Sequence, residues 1–127
     1  MRKIFGFLST AVLLVMAACT PKVDPAVQAV DNYLKALVAQ DGTQISNLSC
    51  MEWEMDALLE MDSFQAVKPT LEGVSCAVTN QDGVTAIVKC AGKIITTYDT
   101  EVREFDLSER SYKVVQENGE WRVCGYQ

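Results

Sequence analysis

Five cysteines are the most reactive side chains in this 127-residue chain, which has no histidine. A thiolate can take an acyl or lipid group, bind a soft metal or close a disulfide. Zinc sites need cysteines a few residues apart, and Cys50, Cys76, Cys90 and Cys124 are too widely spaced, so no metal is expected. Without histidine no His-activated nucleophile can be built, and no Gly-rich phosphate loop occurs. No catalytic residue and no cofactor is therefore assigned. In a small domain outside the reducing cytosol, four cysteines read instead as two disulfides, with three possible connectivities. One further constellation invites chemistry: Glu52, Asp56 and Glu60 recur at helical spacing. Such a row could hold a cation, but calcium loops need a Gly-centred ligand spacing that is missing. A solvated helix face is the expectation.

The fifth cysteine, Cys19, defines an address. Arg2 and Lys3 precede an apolar run from Ile4 to Met16, and the small residues Ala17 and Ala18 stand directly before it. Charge, apolar core and small-residue cleavage site make a secretory signal. With a cysteine next in line, Met16-Ala17-Ala18-Cys19 resembles the lipobox of bacterial lipoproteins, with Met16 in place of the usual leucine. The resemblance implies a signal peptide over residues 1–18, a diacylglyceryl thioether on Cys19, a tether over 19–23 and one domain over 24–127. It implies an exported protein held on a bacterial cell membrane through its lipid. The apolar run is too short for a spanning helix, whereas two or more acyl chains anchor stably.

Removing the first 18 of 127 residues leaves 109, enough for one modest core. Net charge then falls from −6 to −8, because Arg2 and Lys3 leave. An acidic surface argues against nucleic acid and against side-chain docking on anionic lipid.

The elements that must position any site are legible in outline. Asp24-Pro25 reads as an N-cap with proline at the first helical position. Val27, Val30, Tyr33, Leu34, Leu37 and Val38 then form the stripe of an amphipathic helix. Asp41-Gly42 is expected to stop it, with glycine left-handed. Thr43 can restart a short turn through Ile45 and Leu48. Ser49-Cys50-Met51-Glu52 fits a capping box, opening a helix to about Met61 with Met51, Met55, Leu58 and Leu59 on one side. After Pro69 the pattern is β: 71–79, 84–98, 101–117 and 121–126, separated by Asn80-Gln81-Asp82-Gly83, Asp99-Thr100 and Asn118-Gly119. Four strands joined by short turns predict an antiparallel meander, each paired to the next. Val84, Ala86, Val88, Cys90 and Ile94 share one face of the second strand. On the other, Ile87, Ala91 and Ile95 lie among Lys89, Lys93 and Thr97, a surface that could form a homodimer. The third strand changes phase between Phe105, Leu107 and Tyr112, Val114, so a bend is expected near Ser108-Glu109-Arg110.

Strand alternation bears on the cysteines. Cys76 lies on the apolar face of its strand with Val74 and Val78, and Cys90 with Val88. Opposed residues of a hairpin point the same way, so both share a face only across an odd loop, which Gln81-Asp82-Gly83 would supply. That register makes them diagonal neighbours. The expected pairs are Cys76–Cys90 and Cys50–Cys124.

Helices first and a curved sheet after is the order of the nuclear transport factor 2-like superfamily. Asp31-Asn32-Tyr33-Leu34-Lys35-Ala36-Leu37 resembles its first helix. Tyr112-Lys113-Val114-Val115 followed by Asn118-Gly119-Glu120-Trp121-Arg122-Val123-Cys124 resembles its last hairpin. The resemblance implies an α+β cone, N-terminal helices on a curved four-stranded antiparallel meander. Tyr33, Trp53, Phe64, Tyr98, Phe105, Tyr112 and Trp121 are the large residues available to line its mouth. Aromatics at such spacing are more often plain core, and core is the weightier expectation. A non-catalytic domain that binds a protein or a small apolar ligand is the favoured function. The alternative is an enzyme of isomerase or dehydratase type, which requires a pocket holding Tyr33 and a buried carboxylate within hydrogen-bond reach.

Overall fold

The computed structural model describes residues 22–127, so Cys19 and the signal segment lie outside the described residues. Helix α1 spans Pro25–Ala39, and the Asp24 carboxylate accepts from the Ala26 N–H at 2.8 Å. Its buried face carries Ala26, Ala29, Val30, Tyr33, Leu34, Ala36 and Leu37, while Val27 and Val38 are only half-buried. The left-handed residue that ends it is Gln40, not Gly42. Gln40 offsets that conformation by donating its side-chain amide to the carbonyls of Leu37 and Met61. Asp41 and Gly42 are thereby freed to open α2 (Gly42–Leu48), with Asp41 accepting from the Gln44 N–H.

The capping box at Ser49 does not form. Ser49 is buried and donates its hydroxyl to the Ile45 carbonyl, closing α2, while Cys50 N–H donates to Val123 O at 2.9 Å. Pinned to the sheet there, the chain enters α3 only at Glu54 (Glu54–Asp62). The later start rotates the face expected to be apolar. Met51, Met55 and Leu59 are 85%, 70% and 60% exposed, and Ala57 and Met61 are buried instead.

Five strands follow: β1 (Lys68–Asp82), β2 (Thr85–Tyr98), β3 (Glu101–Asp106), β4 (Ser111–Glu117) and β5 (Glu120–Tyr126). All pair antiparallel, but not as a simple meander. The expected third strand is cut in two by a 3-10 turn at Leu107–Glu109, where the phase change falls. Leu107 turns into the core there, and β3 and β4 part company. β3 pairs with the C-terminal half of β2 and β4 with its N-terminal half. Between those halves the sheet curls at Gly92, which has φ +97°; a Cβ there would sit 2.6 Å from the Gly73 carbonyl oxygen, so only glycine fits.

The β1–β2 register differs from the expected one in detail. The turn holds two residues, Gly83 and Val84, and an extra residue at Thr79 bulges from β1. An even loop plus one bulge has the parity of an odd loop, and it sets Cys76 directly opposite Cys90 rather than diagonal to it. Disulfides join Cys76 to Cys90 and Cys50 to Cys124, with Cα separations of 4.0 and 5.2 Å. Val84, left in the turn, is exposed. α1 closes one part of the concave face with Val30, Leu34 and Leu37 in one core with Val88, Ile94, Val114 and Val123.

Candidate functional site

The rest of the concave face stays open. α3, the outer half of β2, β3 and the C-terminal end of β5 bound a cleft of about 740 Å³. Its apolar lining is Trp53, Leu59, Phe64, Val67, Tyr98, Phe105 and Tyr126, joined by Ser63 and Thr96 and by five charged residues. Phe64 and Phe105 meet edge to face at 6.0 Å between ring centres, and Trp53 meets Tyr126 at 5.6 Å. Such tilted pairs fix ring orientation as well as burying area.

Four of the seven aromatics expected at the mouth therefore line it: Trp53, Phe64, Tyr98 and Phe105. Tyr33 and Tyr112 are fully buried behind it, and Trp121 is half-buried against the core. Their places on α1, β4 and β5 face the closed part of the cone, where packing claims them. Tyr126, the last residue of the expected strand 121–126, joins the lining through Trp53 and Arg110, which only the fold brings to it.

The polar floor is a chain of hydrogen bonds that sequence reasoning missed. Glu60, expected on a solvated face, has a side chain only 9% exposed. Tyr33 donates its hydroxyl to one Glu60 oxygen at 2.8 Å, and Trp53 donates its indole N–H to the Tyr33 oxygen at 3.4 Å. Arg110 donates Nη1 to the other Glu60 oxygen at 2.7 Å. The Arg110 guanidinium lies 4.1 Å over the Tyr126 ring, with 27% of its side chain exposed. Helical spacing put Glu60 in line with Glu52 and Asp56; only the return of the chain at Arg110, fifty residues on, marks it as different.

Burial, reinforced by the Glu60 charge, pushes the Tyr33 hydroxyl far above its ordinary range, so it stays a neutral donor. Burial raises Tyr112 to about 12 although the neighbouring Arg110 charge pulls it back. The Tyr112 hydroxyl has no hydrogen-bond partner among the described residues. For Arg110 burial works against the charge, but the Glu60 carboxylate outweighs it and holds the guanidinium above its ordinary value. Among the described residues no cluster of His, Cys, Asp and Glu could hold a metal ion.

No family model and no curated protein matches the sequence. Solved structures do. A protein of unknown function from Mycobacterium tuberculosis is 13% identical with a TM-score of 0.62, over 80% of this chain and 67% of that one. A structure described as a putative ketosteroid isomerase from Shewanella frigidimarina is 12% identical, with a TM-score of 0.57 over 81% and 93%. An NTF2-like protein with a cystatin-like fold from Novosphingobium aromaticivorans is 10% identical, with a TM-score of 0.55 over 78% and 75%. At these identities the likeness is one of fold: the domain is a nuclear transport factor 2-like α+β cone, three helices on a curled antiparallel sheet. Its two disulfides belong to an oxidising, extracytoplasmic setting.

Proposed function

We propose that this is an exported, membrane-anchored lipoprotein whose cone is a non-catalytic binding domain for a small apolar molecule. The observation that carries the reading is the open aromatic cleft, large enough for a small ligand and floored by a carboxylate already engaged on both oxygens. The Met16-Ala17-Ala18-Cys19 pattern supports the anchor. An acidic chain has no side-chain means of holding anionic lipid, so attachment rests on Cys19. Mass spectrometry of the mature N-terminus tests the anchor: a lipid-modified Cys19 is expected, and an unmodified Cys19 peptide overturns it. For the cleft, an uncharged apolar fluorescent dye such as N-phenyl-1-naphthylamine should bind the folded protein and lose affinity in Phe105→Ala. A dye signal indifferent to that substitution removes the cleft from the account.

One observation favours a second reading. Tyr33 and a buried carboxylate do lie within hydrogen-bond reach, as proton abstraction beside a carbonyl would require. Against it, Tyr33 is sealed behind Glu60 and lines no part of the cleft. Exchange of the α-protons of a small ketone in deuterated water, lost in Glu60→Gln, would establish the enzymatic reading; no exchange above buffer retires it.

A further inference from the structure

The charges that line the cleft say what kind of head group it takes. We infer that its occupant is an uncharged amphipathic molecule, an apolar body bearing a carbonyl-type acceptor such as an amide or ester, with that oxygen on the Arg110 guanidinium. The inference rests on the binding reading above and adds the chemical class.

Glu60 and Arg110 are the innermost charges and cancel one another at 2.7 Å. A carboxylate head reaching Arg110 would come up beside Glu60, and an ammonium head reaching Glu60 would come up beside Arg110. Either brings like charges together where water is thin and the repulsion is weakly screened. A neutral acceptor meets no such opposition. Arg110 still has donors to offer. Only Nη1 has an acceptor among the described residues, and Nε and Nη2, which have none, are not sealed from solvent. An arginine presents several N–H groups in a planar fork, and the Tyr126 ring beneath it sets the plane. Elsewhere in the lining, Phe64, Val67 and Phe105 offer apolar surface to the body of the ligand. The second pair in the lining, Arg103 with Glu101 at 3.0 Å, is also balanced and stands in solvent, and the fifth lining charge, the Asp56 carboxylate, is exposed, so screening weakens all three.

Three probes sharing a decyl body separate the possibilities: N-methyldecanamide, decanoate and decyltrimethylammonium, titrated into the mature protein by calorimetry. The amide should bind at least about tenfold more tightly than either ion. Arg110→Lys, which keeps the charge but loses the fork, should weaken the amide several-fold, whereas Phe105→Ala should weaken all three alike. If either ion matches the amide, or Arg110→Lys leaves the amide unaffected, the head-group assignment is wrong while ligand binding stands. If none of the three binds, the binding reading falls as well. The comparison of probes on the unmodified protein needs no variant to fold.

Discussion

Two parts of one concave face use the same kinds of residue to opposite ends. Beneath α1, Val30, Leu34, Leu37, Val88, Val114 and Val123 are wholly enclosed, and the disulfide from Cys50 to Cys124 ties helices to sheet. Under α3 the apolar side chains of Leu59, Tyr98 and Phe105 remain open to solvent around a cleft. The difference is one of cover. α1 is long enough to roof the part of the sheet formed by β1, β4 and β5, and α3, started late by the Cys50–Val123 hydrogen bond, leaves the part built on β3 unroofed. Closed packing supplies stability; the open part is what the proposed binding rests on.

The contrast can be broken most forcefully at the crosslinks. Replacing Cys50 and Cys124 together by Ala opens a 74-residue separation and should cost about 4 kcal/mol in chemical denaturation. The same change at Cys76 and Cys90, 14 residues apart, should cost about 3 kcal/mol. Equal losses would mean that closure length does not govern these bonds. Leu34→Ala, in the enclosed part, should lower stability by about 3 kcal/mol, read from the denaturation midpoint.

Alkaline pH probes the boundary between the two parts, where Tyr33 and Tyr112 stand. Their folded pKa values exceed the unfolded one, so the folded state holds its protons longer and stability falls as pH rises. For Tyr112 the loss begins near pH 10 and runs to about pH 12, on the order of 2 kcal/mol in all; Tyr33 extends it upward. Tyrosinate absorbance from these two should appear only together with unfolding, and earlier ionisation would show the floor to be wet.

Smaller effects sharpen the comparison. Glu60→Gln removes the charge opposite Arg110 while keeping an acceptor, and a thermal melt should register about 1–2 kcal/mol of destabilisation. Met55→Ser, on the exposed stripe of α3, should stay within about 0.5 kcal/mol of the parent. A large loss there would mean that the stripe is covered in the native protein.

The first helix was readable because its proline, its cap and its apolar spacing all agree, and the bend after Phe105 because alternation visibly changes phase. The capping box fails for a tertiary reason. Ser49 has the right neighbours for a cap, but a backbone bond to a strand seventy residues later holds the chain out of the helix. Glu60 was misread for a related reason: its i, i+4 companions are solvated, and nothing local distinguishes the one that meets Arg110.

By itself, then, the chain's order of residues determined the period of each element, the parity that puts Cys76 and Cys90 on one face, and the absence of histidine chemistry. Those are local or countable properties, set by geometry within a few residues. Tertiary structure alone decided which aromatics became core and which became cleft, and which acid was drawn inward. Burial depends on what lies opposite, and what lies opposite comes from distant parts of the chain.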